Sequence, residues 1–138
     1  MLGLEHDEVR KGRVAELLFA SEFLRRGYKV YTPLVDDDGV DLLVEKDGKY
    51  MKVQVRTARH EGGSLIVDTR RGRLTNGTRR STVTDGKADL IAVYDSESKR
   101  GYVIPVAEVN GKKKIRLRLE EPRRNKSRIR WAEHYRFF

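Results

Sequence analysis

A nearly uninterrupted apolar run at residues 88–94, ADLIAVY, constrains the fold more than any other feature of the sequence. The run is short and contains β-branched residues, which is typical of a strand, and it lacks the polar alternation of a strand with one solvent-exposed face. We therefore expect an interior strand that is buried on both faces. A chain built around such a strand is predicted to be of mixed α/β or α+β class, with layers packed on a central sheet.

One helix is predicted at residues 7–26. This segment has helix formers throughout, an acidic start and a basic last turn, and Gly27 follows it as a stop signal. A second, shorter helix is expected at 127–135, with Ser127 as its N-cap. The other regular segments have the composition of strands. They are expected at residues 28–31, 40–45, 50–57, 64–68, 88–94, 101–106 and 113–119.

The spacing of these strands indicates how some of them pair. A short turn-forming stretch separates 40–45 from 50–57, which predicts a hairpin. The strand at 101–106 is expected to pair with 88–94. The strand at 113–119 alternates apolar and basic residues, so it is predicted to be half exposed with a basic outer face.

Size and composition exclude several classes of protein. The chain has 138 residues, the size of one domain, so we interpret residues 1–138 as a single domain with a basic segment at 111–138. There is no cysteine, which excludes disulfides and thiolate metal sites. The first residues do not resemble a signal peptide, and no apolar run approaches the roughly 20 residues that span a bilayer. We expect a cytoplasmic protein.

Positive charge is concentrated in two clusters. Segment 111–138 carries 11 Lys and Arg against 3 Asp and Glu, a net of +8 out of +9 for the chain, and five arginines lie within 70–80. A single cluster can be a solvated face, but two in one small domain favour a nucleic-acid partner. A membrane surface fits less well, because neither cluster has a long apolar helical stripe. The expected DNA-binding residues are Arg70, Arg71, Arg73, Arg79, Arg80, Lys112, Lys113, Lys114, Arg116, Arg118, Arg123, Arg124, Lys126, Arg128 and Arg130.

Glu16 is the first candidate for chemistry. Helical spacing places it between Val9, Ala20 and Phe23, on the predicted apolar side of the helix, where an unpaired carboxylate costs free energy. A purely structural explanation is a partly buried ion pair with Arg13, three residues earlier.

The hairpin supplies the other candidates. Gln54 and Arg56 share one face of their strand, which can be simply its solvated side. Asp41 opens the partner strand after a glycine-containing turn, where an Asx turn is the structural alternative. In combination, a helix Glu, a strand-opening Asp and an amide oxygen beside a cation can hold a hard cation such as Mg²⁺.

Several stretches in this order also match a known family. They are Gly12 with Ala15-Glu16, then 27–30, 40–44, 53–58, 88–94, 102–105 and 129–132. Their order and spacing resemble the PD-(D/E)XK nucleases, most closely the branch that includes group I intron homing endonucleases, in which Gln replaces the motif's Glu. The resemblance implies a restriction-endonuclease-like core with a central mixed β-sheet flanked by helices.

The resemblance further implies a metal-dependent DNA endonuclease with Glu16, Asp41, Gln54 and Arg56 as catalytic residues. Asp41, Gln54 and Glu16 would hold one Mg²⁺ or Mn²⁺. Arg56 occupies the position of the family's Lys, and because Arg stays protonated it can act only as a donor and a charge. Cutting both strands requires two sites, which implies a homodimer or homotetramer.

Alternatives remain open. A Holliday-junction resolvase-like nuclease, acting on branched rather than ordinary double-stranded DNA, shares this fold and site. A catalytically silent nuclease-fold protein that binds DNA would account for Arg56. The sequence shows no zinc pattern, phosphate-binding loop or nucleophile elbow. A structural role is favoured for Asp89. The aromatic residues at 131–138 are expected to close a core or an interface more readily than to stack on bases.

Overall fold

The structure is a computed structural model. It describes residues 8–35, 39–69, 87–109, 111–124 and 128–138. One α-helix, α1 (Glu8–Arg25), precedes all the strands. The strands are β1 (Lys29–Tyr31), β2 (Leu42–Lys46), β3 (Lys49–Thr57), β4 (Arg59–Glu61), β5 (Ser64–Asp68), β6 (Leu90–Asp95), β7 (Arg100–Pro105) and β8 (Lys114–Arg118). Two 3₁₀ turns occupy Val106–Val109 and Ala132–Tyr135.

The strands form two sheets. The central sheet has five strands in the order β1-β2-β3-β6-β7, and the second has three in the order β4-β5-β8. Only β3 and β6 run parallel in the central sheet, whose other neighbours are antiparallel. The predicted central mixed sheet and the predicted hairpin are therefore confirmed. So is the interior position of the apolar run, because β6 lies between β3 and β7 and Ile91 to Asp95 are buried.

Each face of the central sheet has its own core. On one face, Ala15, Phe19 and Phe23 of α1 pack against apolar residues of β2 and β3. On the other, apolar residues of β5 and β8 pack against β6 and β7. In the part of the chain that the structure describes, the second face is thus covered by a sheet rather than by a helix. No helix in the described ranges has the length and apolar character needed to cross a membrane.

The buried face of α1 is rotated from the face that helical spacing suggested. The buried residues Ala15, Phe19 and Phe23 follow one another at intervals of four. Val9, which we placed beside Glu16 on the apolar side, is 79% exposed, and Leu17 is 62% exposed. Glu16 therefore lies at the margin of the buried face and not at its centre, because the aromatic residues set the contact with the sheet.

The last segment of the chain joins the two layers. The predicted helix at 127–135 is wrong in extent: a single 3₁₀ turn begins after Trp131, and Ser127 lies outside the described residues. Ahead of this turn the chain runs along β8, where the Arg118 N–H donates to the Arg130 carbonyl at 2.8 Å. Phe137 and Phe138 then pack in the core beneath α1. Their rings lie 4.7 Å from Phe23 and 5.0 Å from Phe19, respectively, between centroids. These two aromatics close a core, as expected.

Asp89 has the structural role that the sequence favoured. Its carboxylate accepts a hydrogen bond from the Lys52 N–H at 2.8 Å, and its own N–H donates to the Lys52 carbonyl at 2.8 Å. These bonds hold the start of β6 in register with β3. Asp89 is exposed, so it stabilises the parallel pairing from the surface rather than from within the core.

A polar contact connects the two sheets. His60 Nε2 of β4 lies 2.8 Å from Asp95 Oδ1 at the end of β6, and Ser98 Oγ donates to Asp95 Oδ2 at 2.6 Å. The hydrogen bond to Asp95 raises the pKa of His60, and burial opposes this rise. Burial also opposes the ionisation of Asp95, but hydrogen bonds from Ser98 and His60 outweigh it and lower the Asp95 pKa.

This contact predicts a pH-dependent contribution to stability. A raised His60 pKa stabilises the fold below the unfolded value of 6.5, and the contribution is lost as pH rises through the folded pKa. His60→Gln should therefore lower the free energy of unfolding more at about pH 5.5 than at about pH 8.5. Denaturant titrations at both pH values test this, with the exposed His134→Gln as the matched control. Equal losses at both pH values would contradict the assignment.

Gly101 gives a second stability prediction. A Cβ at this position would overlap the ring of Phe138, whereas a Cβ at Gly12 in α1 would meet nothing within 4 Å. Gly101→Ala should lower the free energy of unfolding by about 1–3 kcal/mol through overpacking. The control Gly12→Ala should raise it by about 1 kcal/mol, because alanine is the better helix former. Thermal denaturation of both variants measures the difference, and an undiminished melting temperature for Gly101→Ala would show that the ring does not pack there.

Candidate functional site

A small pocket lies between α1 and the entrance to β2. It has a volume of about 60 Å³ and is lined by Arg13, Glu16, Thr32, Pro33 and Asp41. The helix carries Glu16 at the edge of its buried face, and Asp41 immediately precedes β2. Two carboxylates that the sequence placed on separate elements therefore line one pocket.

Glu16 has a cationic neighbour within this pocket. Arg13 Nη1 lies 3.1 Å from Glu16 Oε2, and the Arg13 side chain is 66% exposed whereas that of Glu16 is 19% exposed. The ion pair that we considered as a structural explanation for Glu16 is thus present. Arg13, Thr32 and Pro33 were not identified as pocket residues from the sequence. For Arg13, the three-residue spacing from Glu16 was the available signal.

Asp41 is held against β3 by both its backbone and its side chain. Its N–H donates to the Val53 carbonyl at 2.9 Å, and its Oδ2 accepts from the Val55 N–H at 2.7 Å. Regular pairing of the two strands begins one residue later, at Leu42 opposite Val53. The carboxylate therefore takes the place of a backbone acceptor where the ladder opens. Its two contacts lie on either side of Gln54.

Gln54 presents an unusual acceptor. Its side chain is 1% exposed, and within the described ranges its Oε1 is a buried side-chain oxygen with no hydrogen-bond partner. Val53 and Val55 belong to the core beneath α1, so the alternation of the strand directs Gln54 to the opposite face. A buried acceptor without a partner costs about 1–3 kcal/mol. Folding alone gives no reason to retain it.

Arg56 shares this face of β3. It is half-buried, and its Nη1 donates to the Val55 carbonyl at 3.1 Å. The contact orients the guanidinium along its own strand, two residues beyond Gln54. A permanent positive charge therefore lies on the same face of β3 as Gln54.

These groups have the chemistry of a site for a hard cation. Carboxylate and amide oxygens are the ligands that Mg²⁺ prefers, and the buried Gln54 Oε1 is an acceptor that a cation would satisfy. Asp41 shares a pocket with Glu16, and its two hydrogen bonds to β3 are made to the backbone on either side of Gln54. Among the described residues no group of three His, Cys, Asp or Glu forms a metal cluster. The set contains only two carboxylates, one of them paired with Arg13, so it fits one divalent cation.

A separate groove gathers many of the predicted DNA-binding residues. It has a volume of about 400 Å³ and lies along β8 and the segment that follows it. Its lining consists of Lys112, Lys114, Arg116, Arg118, Pro122, Arg124, Arg128, Ile129 and Arg130. Lys113 and Arg123 are exposed but do not line the groove. Arg70, Arg71, Arg73, Arg79, Arg80 and Lys126 lie outside the described residues.

Comparison with known proteins agrees with this fold. The chain is similar in fold to a homing endonuclease: it superimposes on the structure of the bacterial homing endonuclease I-Ssp6803I with a TM-score of 0.77 and 28% identity, covering 94% of this chain and 88% of that one. Protein 5.3 of Escherichia phage T7 is 41% identical over 86 residues, which span 62% of this chain and 71% of that protein. The model of the PD-(D/E)XK endonuclease family matches residues 6–138. The chain belongs to the PD-(D/E)XK endonuclease family.

The buried acceptor yields a prediction about stability. Gln54→Met removes it at similar volume and should raise the free energy of unfolding without added cations by on the order of 1 kcal/mol. Gln54→Glu should do the opposite, because it places a charge in the same buried position. Chemical denaturation in a chelator measures both effects. A loss of stability in Gln54→Met would show that the amide oxygen has a partner in solution.

Proposed function

We propose that this protein is a divalent-cation-dependent DNA endonuclease that hydrolyses phosphodiester bonds, similar in mode to the homing endonucleases. The observation that supports this most strongly is the position of Asp41, which binds the backbone of β3 on either side of Gln54 and shares a pocket with Glu16. Membership of the family and the likeness to I-Ssp6803I support the same reaction class.

In this proposal Asp41, Gln54 Oε1 and Glu16 hold one Mg²⁺ or Mn²⁺. When bound, such a cation lowers the pKa of a water molecule and neutralises charge that develops on the phosphate oxygens. Asp41 supplies the main negative charge. Its hydrogen bond from the Val55 N–H fixes one carboxylate oxygen, so the site needs little rearrangement on binding. Gln54 contributes its oxygen without adding charge.

Arg56 acts by electrostatics. Arginine does not deprotonate in proteins, so Arg56 cannot accept a proton from the attacking water. Its guanidinium can stabilise the extra negative charge of the phosphate in the transition state. Arg13 is a second positive charge at the same pocket and, being largely exposed, it can reach a phosphate that approaches from solvent. The proton of the attacking water must therefore pass to a group other than these arginines: a carboxylate of the site, the solvent or the substrate phosphate.

Cleavage of both strands would need a second copy of the site, so the proposal includes a homodimer or homotetramer. The alternative of a catalytically silent DNA-binding protein is favoured by two observations, the Arg at position 56 and the Arg13 partner of Glu16. A resolvase-like nuclease would use the same residues on branched DNA. The substrate distinguishes these possibilities.

Asp41→Asn is the decisive variant. Asn keeps an oxygen that can accept from the Val55 N–H, so the strand contact survives while the charge is lost. Nicking of supercoiled DNA in Mg²⁺ or Mn²⁺ should fall by roughly 10²–10³-fold, the scale expected when one stabilising group is removed from an active site. Asp47→Asn is the matched control, because Asp47 lies in the β2–β3 turn at a positive φ of 53°, which Asn tolerates.

Plasmid and four-way-junction DNA are tested side by side. Preferential cleavage of the junction would favour the resolvase-like alternative. If the parent protein binds both DNAs and cuts neither in either cation, the nuclease proposal fails and the silent DNA-binding alternative replaces it.

A further inference from the structure

The basic groove is distinct from the pocket that contains Glu16 and Asp41. The groove lies on the sheet formed by β4, β5 and β8, whereas the pocket lies beside α1 and β2 of the central layer. The two have no lining residue in common. Seven of the nine residues that line the groove are Lys or Arg, and none is acidic. The groove therefore needs an explanation of its own.

Strand β8 provides a rigid row of cations. Ile115 and Leu117 are buried in the core, so Lys114, Arg116 and Arg118 point to the other face. Alternate residues of a strand are separated by about 6.5–7 Å, since the rise is about 3.3 Å per residue. The buried residues between the cations fix the spacing.

Two arginines of the groove make hydrogen bonds that stabilise the fold. Arg118 Nη1 donates to the Gly62 carbonyl at 3.1 Å and to Ser64 Oγ at 2.9 Å, and its Nε donates to the Glu120 carbonyl at 3.0 Å. Arg130 Nη2 donates to the Glu108 carbonyl at 3.1 Å. These bonds build the walls of the groove by tying β8 and the last segment to their neighbours. Both guanidiniums therefore already have hydrogen-bond partners within the protein.

Four other cations of the groove are less engaged. The side chains of Lys112, Lys114, Arg124 and Arg128 are exposed and make no hydrogen bond or ion pair with any residue that the structure describes. Arg128 also has a positive φ of 58°, a conformation that costs free energy for a residue with a Cβ. Like charges in one groove repel one another. A bound polyanion would relieve this repulsion and release its own counterions.

We propose that this groove binds the phosphodiester backbone of duplex DNA without divalent cations, while the Asp41 pocket performs hydrolysis. Lys112, Lys114, Arg124 and Arg128 make the phosphate contacts, and Arg118 and Arg130 hold the groove in shape. Contacts to phosphates position a duplex without reading its sequence. The choice of DNA as the polyanion rests on the proposed nuclease function, whereas the groove itself rests on its geometry.

The test compares two sets of four charge-neutralising substitutions in the full chain. The groove variant carries Lys112→Gln, Lys114→Gln, Arg124→Gln and Arg128→Gln. The control carries Arg25→Gln, Lys29→Gln, Lys49→Gln and Arg100→Gln, which remove the same charge from exposed positions outside the groove. Binding of a labelled duplex is measured by fluorescence anisotropy in a chelator over a series of salt concentrations. Thermal denaturation verifies that both variants are folded.

The groove variant should lose about 3 to 4 units from the slope of log affinity against log salt, because each phosphate contact contributes about 0.9. The control should lose less than about 1 unit, since its charges act only at long range. Equal slopes for two folded variants would overturn the proposal. If the groove substitutions weaken the binding of heparin as much as the binding of duplex DNA, the assignment to DNA is overturned.

Failure of the nuclease proposal gives a different result. The parent protein could bind duplex DNA through the groove and yet fail to nick it in Mg²⁺ or Mn²⁺. In that case the proposal for the groove is supported and the proposal for the hydrolytic site fails. Asp41→Asn should keep the salt slope of the parent protein in chelator, because Asp41 makes none of the groove's phosphate contacts. If Asp41→Asn, while folded, loses the salt dependence, then the two sites are not separate and the proposal is wrong.

Discussion

The double attachment of Asp41 to β3 is the interaction on which the rest of the site depends. The backbone N–H donates to the Val53 carbonyl and the carboxylate accepts from the Val55 N–H, so the residue replaces a rung of the ladder where β2 begins. This fixes a negative charge at the Glu16 pocket, against the backbone of β3 on either side of Gln54. In the proposed site, Asp41 is the central one of these three oxygen donors.

The site around Asp41 carries little net negative charge. Gln54 adds no charge, Glu16 is paired with Arg13, and Arg56 lies on the same strand as Gln54. In the proposed enzyme, positive charge at the site stabilises negative charge on the phosphate and does not activate the attacking water. Affinity for DNA then need not come from the active site. The exposed cations of the groove can supply it, so the small pocket is not required for DNA affinity.

Much of this architecture could be predicted from the sequence. The apolar run at 88–94 indicated an interior strand because polar alternation is missing, and the alternation at 113–119 indicated the basic face of β8. The buried side of α1 could not be predicted, since Leu17 is apolar yet exposed and the aromatic contacts that decide the rotation involve Phe137 and Phe138 from the far end of the chain. Local spacing carries no information about such contacts.

The same limit applies to the candidate site. The sequence pointed to Glu16, Asp41 and Gln54, but the attachment of Asp41 to β3 and the hydrogen bonds of Arg118 depend on tertiary contacts.

The most direct test of the proposed site is an anomalous difference map from a crystal of the protein soaked in Mn²⁺. The account predicts one peak within about 2.0–2.6 Å of an Asp41 oxygen and of Gln54 Oε1, the range of hard-cation ligand distances. Fully bound Mn²⁺ elsewhere, with no peak at these two residues, would contradict it.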